Sequence, residues 1–143
     1  MRNLISEVRL IKFPNHEVSQ DGTRGNLVVF EGAEVPFSIL RVFQVNAPSG
    51  AIRGRHAHKK CVQLMICSKG CINVICDDGA EKICYALDEP NMGLLVPEGI
   101  WSEQVYQKPD SILTVLCNRL YEESDYIRDY AGFLTYRRIN EQE

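Results

Sequence analysis

The sequence lacks a long apolar run and a large surplus of charge of one sign. No apolar stretch approaches the roughly 20 residues that a membrane-spanning helix needs. Charged residues are scattered through the first 14 residues, so we expect no secretion signal and a cytoplasmic protein. Sixteen Lys and Arg residues against nineteen Asp and Glu residues give a net charge of -3, which is not the basic balance of a nucleic-acid-binding domain. The composition predicts a soluble protein without a membrane or nucleic-acid partner.

The cysteine pattern also lacks the signatures of a metal site or a disulfide framework. The chain has six cysteines but no CxxC pair, and a chain of 143 residues without a secretion signal does not depend on disulfides for its core. The cysteines lie mostly within apolar stretches, at positions Cys61, Cys67, Cys71, Cys76, Cys84 and Cys117. We predict buried free thiols that pack as small apolar side chains, with redox or metal chemistry as the alternative.

Short β-type runs dominate the chain up to Cys117. Eight runs rich in Val, Ile, Leu, Cys and aromatic residues are predicted strands: LVVF, ILRVFQV, VQLMIC, INVIC, KICYAL, GLLVP, SEQVY and ILTVLC. Turn residues separate them, and Asp78-Gly79 between two apolar runs is a strong hairpin signal. The pattern predicts one all-β domain over residues 1–143, an antiparallel sandwich or barrel, with an N-terminal strand and loop over residues 1–20.

Only the C-terminal part of the chain has a helical pattern, which we place over residues 122–134. Ser124 could cap a helix that starts at Asp125, and acidic residues near its start suit the positive end of a helix. Tyr126, Tyr130 and Phe133 would then share one face. We expect that face to pack against the β-domain.

Histidine is scarce, and two of the three histidines lie close together. His56 and His58 are two residues apart on a predicted strand, so their side chains should point the same way. We predict that they share a site, because imidazole can carry a proton near neutral pH. The alternative is a purely structural pair on a β-surface. His16 lies in a polar segment and is expected on the surface.

The segment around these histidines resembles the first motif of the cupin superfamily, in which HxH is followed by Glu and then Gly. Here HxH is followed by four residues, Gln63, six residues and Gly70. The second cupin motif resembles GLLVPEG at residues 93–99, but Ser102 stands where a histidine is usual. The resemblance implies a jelly roll, the double-stranded β-helix. Amide and hydroxyl groups are poor ligands for a transition metal, so we predict no metal in the pocket.

The resemblance narrows to the WxcM-like cupins. The segments RGRHAHKK, DDG, PEGIWSE and YEESDYIRDYAGF carry it, and it extends over most of the chain, from residue 21 to residue 133. Members are sugar 3,4-ketoisomerases that act on dTDP-4-keto-6-deoxyglucose, in the synthesis of dTDP-linked amino sugars for surface polysaccharide and lipopolysaccharide O-antigen. The resemblance therefore implies a metal-free homodimer, with exchanged N-terminal strands, that moves protons without a cofactor.

The resemblance also implies roles for individual residues. His58 is the expected main base and His56 its partner or a donor to the sugar, although their spacing does not order the two. Arginine and lysine suit a nucleotide diphosphate. The candidates are Arg41, Arg53, Arg24 and Lys59, each with an ordinary surface position as the alternative. Arg41 and Arg53 are favoured, because they lie on or next to strands that would line the barrel. The remaining substrate-binding candidates are Gln63, Ser102 and Trp101, with core packing as the alternative for the tryptophan.

Two positions depart from the family pattern. Phe43-Gln44 stands where relatives tend to have a tyrosine near the histidines, and Ser102 stands where they tend to have a histidine. Loss of a phenol and an imidazole would affect the substrate, the configuration at carbon 4 or the activity itself. The competing hypotheses are a non-catalytic cupin that binds a nucleotide sugar as a sensor or assembly partner, and a metal-dependent cupin dioxygenase.

Overall fold

The structure, a computed structural model, describes residues 3–17 and 20–141. Its strands in chain order are β1 (Arg9–Lys12), β2 (Asn15–Glu17), β3 (Asn26–Val28), β4 (Arg41–Ala47), β5 (Ile52–His58), β6 (Gln63–Lys69), β7 (Ile72–Asp77), β8 (Lys82–Leu87), β9 (Met92–Val96), β10 (Trp101–Tyr106), β11 (Ser111–Cys117) and β12 (Tyr126–Ile127). Short 3₁₀ helices lie at Ile5–Glu7, Gly32–Glu34 and Glu123–Asp125, and helix α1 spans Tyr130–Glu141. Within the described ranges, no helix is both long and apolar enough to cross a bilayer.

Two antiparallel sheets of five strands enclose the main core. The first has the strand order β1-β9-β6-β11-β4 and the second β12-β5-β10-β7-β8, while β2 and β3 form a separate ribbon. Met65 and Val115 of the first sheet share the main apolar cluster with Val74 and Tyr106 of the second. The prediction of an all-β antiparallel fold is confirmed.

Strand β6, at the centre of the first sheet, is buried on both faces along most of its length. Met65 of β6 points into the main core, whereas its neighbours Leu64 and Ile66 pack on the opposite face against Phe13 and Val35 of the N-terminal segment. A strand covered on both sides needs apolar residues at every position rather than at alternate ones. This explains the unbroken apolar run LMIC at residues 64–67.

The C-terminal helix begins at Tyr130, so the predicted helix over 122–134 starts too early. The true cap is Asp129, whose carboxylate accepts the backbone N–H of Gly132 at 2.8 Å. The acidic residues before it form only the short 3₁₀ helix Glu123–Asp125, because the Asp125 carboxylate accepts hydrogen bonds from the chain after β5. Strand β12 then pairs with β5 where a helical turn was expected.

The cysteine side chains differ in burial. Four of them are buried, Cys71 is half-buried and Cys84 is exposed. The prediction of burial is therefore wrong for Cys84, because β8 is an edge strand and most of its side chains face solvent.

Candidate active site

A cavity of about 230 Å³ lies between the two sheets. Its wall is formed by side chains of both sheets and of the segment at β12: Phe43, Val45, Arg53, Gly54, His56, Gln63, Met65, Gln104, Leu113, Val115, Tyr126 and Arg128. Both arginines are exposed and both glutamines are buried, so charge lies at the mouth and neutral groups lie inside. The volume is below the roughly 300–1,000 Å³ of sites for drug-sized ligands, so the cavity suits one sugar ring.

A β-bulge in β5 brings Arg53 and His56 to the same wall. Two consecutive residues of β10 pair with Gly54 and with His56, which leaves Arg55 as an extra residue. Both bulge residues have positive φ, 82° at Gly54 and 59° at Arg55. The side chain of Arg55 turns away to Glu103, with 3.2 Å between Nε and Oε1. In a regular strand, residues three positions apart, such as Arg53 and His56, would lie on opposite faces.

His56 is a neutral imidazole on the cavity wall. Its Nδ1 lies 3.1 Å from the carbonyl oxygen of Gly54. A carbonyl oxygen can only accept, so Nδ1 carries the proton and Nε2 keeps a free lone pair. Burial, and then the neighbouring His58, lowers the pKa of His56 to about 4. At neutral pH the ring is therefore ready to accept a proton.

His58 lies behind His56 and is held by Asp125. Its Nδ1 donates to the Asp125 carboxylate at 3.0 Å, and both side chains are about 6% exposed. The same carboxylate accepts the backbone N–H groups of Lys60 at 2.7 Å and Cys61 at 3.3 Å. Burial lowers the pKa of His58 more than Asp125 raises it. The ring is thus neutral and fixed in one tautomer.

The two imidazoles share a site, as their spacing predicts. Their ring centroids are 5.0 Å apart, and the ring of Tyr126 packs against both, at 5.0 Å from His56 and 4.3 Å from His58. Only His56 belongs to the cavity wall. The geometry therefore favours the reverse of the expected order, with His56 facing a ligand and His58 supporting it.

Arg53 and Arg128 are the cationic side chains of the cavity wall. Arg128 lies over the Tyr126 ring, with 4.2 Å from its guanidinium carbon to the ring centroid. It also makes two hydrogen bonds to Glu123, of 2.7 and 2.9 Å, and these bonds lower the pKa of Glu123 to about 2. Two arginines at the mouth of a sugar-sized cavity match a diphosphate that stays outside it.

Arg41, expected to bind phosphate, is engaged elsewhere. Its guanidinium donates to the Cys117 sulfur at 3.6 Å and lies over the rings of Phe43 and Tyr121, at 5.4 and 5.8 Å. Hydrogen bonds from Cys61 and then from Arg41 lower the pKa of Cys117. Arg41 is therefore not among the residues of the cavity wall, but it lies against Phe43, which belongs to that wall.

Lys59, Arg24 and Trp101 also lie away from the cavity wall. Lys59 borders a shallow groove beside helix α1, and Arg24 is exposed in a turn before β3. Trp101 is buried with Ala57 and Phe133 under the helix, so it has the core position considered as its alternative. Among the residues predicted to bind phosphate, Arg53 therefore lies at the cavity wall, whereas Lys59 and Arg24 do not.

Gln63 and Ser102 occupy the positions where metal-binding cupins have ligands. Gln63 lines the cavity and donates to the Cys117 sulfur at 3.7 Å. Ser102 pairs with His56 across the sheet and accepts a hydrogen bond from Gln104 at 2.9 Å. Both side chains are therefore neutral and already tied to neighbours. This donor set fits a transition metal poorly.

A second group of possible metal ligands consists of His58, Cys61 and Asp125, whose ligand atoms lie within 4.8 Å of one another. The Asp125 carboxylate already accepts three N–H groups there, including that of His58. This hydrogen bonding explains why the three residues cluster. Their arrangement positions an imidazole without requiring an ion.

Four residues at the site were not among the sequence-based candidates: Asp125, Tyr126, Arg128 and Gln104. The ESDYIRDY segment contains the first three, but its helical interpretation hides their approach to β5. Local periodicity does not encode a pairing with a strand almost 70 positions earlier. Gln104 reaches the cavity opposite the bulge, and no motif in the sequence signals that contact.

The chain is similar to several known proteins. The family model described as FdtA, WxcM-like C-terminal, matches residues 6–138. A curated relative, TDP-4-oxo-6-deoxy-alpha-D-glucose-3,4-oxoisomerase of Aneurinibacillus thermoaerophilus, is 40% identical over 116 residues, which are 80% of this chain and 84% of the relative.

Two solved structures are similar over nearly the whole chain. A 3,4-ketoisomerase from Helicobacter canadensis has a TM-score of 0.86 and 30% identity, covering 92% of this chain and 98% of its own. QdtA, a sugar 3,4-ketoisomerase from Thermoanaerobacterium thermosaccharolyticum in complex with TDP, has a TM-score of 0.87 and 29% identity, covering 96% and 98%.

Proposed function

The chain belongs to the FdtA, WxcM-like C-terminal family, and we propose that it converts a TDP-linked 4-keto-6-deoxyhexose into its 3-keto isomer. The curated relative is named for this reaction, and QdtA binds TDP. The observation that carries the proposal is His56, a neutral imidazole with a free Nε2 in a cavity that suits one sugar ring. A nucleotide-sugar sensor would have no need of that proton acceptor.

The reaction is a shift of hydrogen without net oxidation, so it needs no cofactor. Nε2 of His56 takes the proton from carbon 3, and the electrons of that C–H bond form a double bond between carbons 3 and 4. The carbonyl electrons move to the oxygen on carbon 4, which takes a proton from water. The hydroxyl on carbon 3 then gives its proton to water and becomes the ketone, while carbon 4 takes the proton that His56 holds. His56 can return its proton because the two carbons are adjacent.

The two negative charges of the diphosphate would act on this base. In the free protein, burial and His58 hold the pKa of His56 at about 4. An anion bound by Arg53 and Arg128 at the mouth favours the imidazolium form and raises that pKa toward neutrality. Substrate binding itself thus strengthens the base.

We propose that Arg53 and Arg128 bind the diphosphate, and we expect a lower affinity for TDP when either charge is removed. Arg53→Gln and Arg128→Gln should each raise the Kd for TDP by about tenfold, since each removes a charge-assisted hydrogen bond to phosphate. Isothermal titration at two salt concentrations measures this. Arg55→Gln is the matched control, because this neighbour faces Glu103 and not the cavity. Equal affinity in all three variants would refute the assignment.

We also propose a cytoplasmic homodimer in which N-terminal strands are exchanged. Strand β1 is an edge strand attached to its sheet through β9 alone, so a second copy could supply it without altering the sheet. Leu40 and Val42 near the other edge, and Leu120 after β11, expose apolar surface of the kind that subunit interfaces bury. The product would feed dTDP-amino sugar synthesis for surface polysaccharide and O-antigen.

The proposed function is tested by identifying the product. The protein is incubated with TDP-4-keto-6-deoxyglucose and a 3-aminotransferase that traps the 3-keto sugar, and the amino sugar is characterised by NMR. We expect a 3-amino-3,6-dideoxyhexose that is absent when the protein is left out. Unchanged 4-keto sugar, with the protein shown to bind it, would favour the sensor hypothesis.

A further inference from the structure

The inner part of the cavity is apolar except for two buried glutamines. Val45, Leu113 and Val115 supply aliphatic surface, while Gln63 and Gln104 are 3% and 4% exposed. Burying an amide costs free energy unless its polar atoms have partners. Glutamines in such a wall therefore point to a polar ligand.

The amide of Gln104 is held at its nitrogen. Nε2 donates to the hydroxyl of Ser102 at 2.9 Å and contacts the sulfur of Met65 at 3.8 Å. Among the residues that the structure describes, none donates a hydrogen bond to Oε1 of Gln104, and this oxygen is open to the cavity. The side chain thus presents a fixed acceptor to whatever fills the cavity.

This acceptor lies beside the proposed base. A Cβ at Gly54 would come within 2.4 Å of Oε1, so only glycine leaves space for the oxygen. The carbonyl of the same Gly54 holds Nδ1 of His56, and Ser102, which holds the amide, pairs with His56 across the sheet. Gly54 and Ser102 therefore fix the acceptor and the base relative to each other.

We infer that Oε1 of Gln104 is a hydroxyl-binding subsite that accepts a hydrogen bond from the hydroxyl on carbon 3 of the sugar. The inference rests on the proposed function, because His56 must approach the hydrogen on carbon 3, and the hydroxyl on that carbon then lies beside Gln104. An amide oxygen only accepts, so it selects a hydroxyl at this carbon and disfavours an analogue that lacks one. Gln104 is thereby a specificity-determining residue.

The test compares two ligands in three proteins. Dissociation constants for TDP-4-keto-6-deoxyglucose and for its 3-deoxy analogue are measured with wild type, Gln104→Leu and Gln104→Met. Wild type should bind the 3-hydroxy sugar about tenfold more tightly than the analogue, the size expected of one neutral hydrogen bond. Both variants should bind the two sugars equally, with the Kd for TDP unchanged. Gln44→Leu on the exposed face of β4 should behave as wild type.

The outcomes separate this inference from the proposed function. Retained discrimination in a folded variant of Gln104 would overturn the inference, as would equal binding of the two sugars by wild type. Wild type that discriminates between the sugars but forms no 3-keto product would refute the isomerase proposal and leave the hydroxyl subsite standing. Gln104→Met, which keeps side-chain length, provides the answer if Gln104→Leu fails to fold.

Discussion

Replacing His56 with glutamine is expected to lower turnover of TDP-4-keto-6-deoxyglucose by about 10³-fold, the scale of a lost general base. Glutamine preserves bulk and polarity but cannot take a proton from carbon. Arg53 and Arg128 remain in place, so binding of TDP should change little. Stopped assays with product separation measure the rate, and calorimetric titration measures the affinity.

The matched control for this substitution is His16→Gln, which removes the exposed histidine of β2 and should leave turnover intact. Wild type should also show a characteristic pH dependence. Because kcat/KM reports ionisations of the free enzyme, it should fall as pH decreases through about 4, where His56 gains a proton, and not near 6.5. Full turnover by His56→Gln would contradict the assignment.

Asp125→Asn is expected to lower turnover by about 10²-fold, the scale of a misplaced catalytic group. The carboxylate accepts three N–H groups, from the ring of His58 and from the backbone of Lys60 and Cys61. An asparagine NH₂ group must face at least one of these donors. We therefore also expect a loss of about 1–3 kcal/mol in the free energy of unfolding, measured by urea titration.

The variant Asp129→Ala is the control that distinguishes a misplaced His58 ring from a general loss of stability. This change removes the helix cap, which should cost about 1 kcal/mol of unfolding free energy without reaching the site. Nitrogen NMR of labelled histidine should show a changed His58 tautomer in Asp125→Asn and an unchanged one in Asp129→Ala. If both variants lose the same turnover, or if the tautomer of His58 is the same in both, Asp125 is not a positioning residue.

Eight of the twelve strands that the structure describes could be predicted from the sequence, because each of the eight has its own local signal. KICYAL coincides with β8, since turns bound it on both sides and Asp78-Gly79 closes the hairpin with β7. The start of the helix could not be predicted in the same way. Ser124 and Asp125 have the composition of a helix cap, but the partners of the Asp125 carboxylate lie more than 60 positions earlier in the chain.

Part of the candidate active site could also be predicted from the sequence. The spacing of His56 and His58 was sufficient to predict that they share a site, because two residues complete one strand period. The spacing could not predict which histidine faces the ligand. That depends on the cavity, which reaches the ring of His56, and on Asp125, which holds the ring of His58. Arg53 and His56 line the same cavity because of the bulge at Gly54 and Arg55. Oε1 of Gln104 lies close to this bulge because Gly54 has no side chain. Such contacts arise from strand pairing rather than from local pattern.

Hydrogen exchange at carbon 3 of TDP-4-keto-6-deoxyglucose in D₂O, followed by proton NMR, tests the central claim most directly. Wild type should replace that hydrogen with deuterium. His58→Asn should do so more slowly, and His56→Asn should leave the signal intact. If His56→Asn exchanged the hydrogen on carbon 3 as fast as wild type does, another group would have to take the proton.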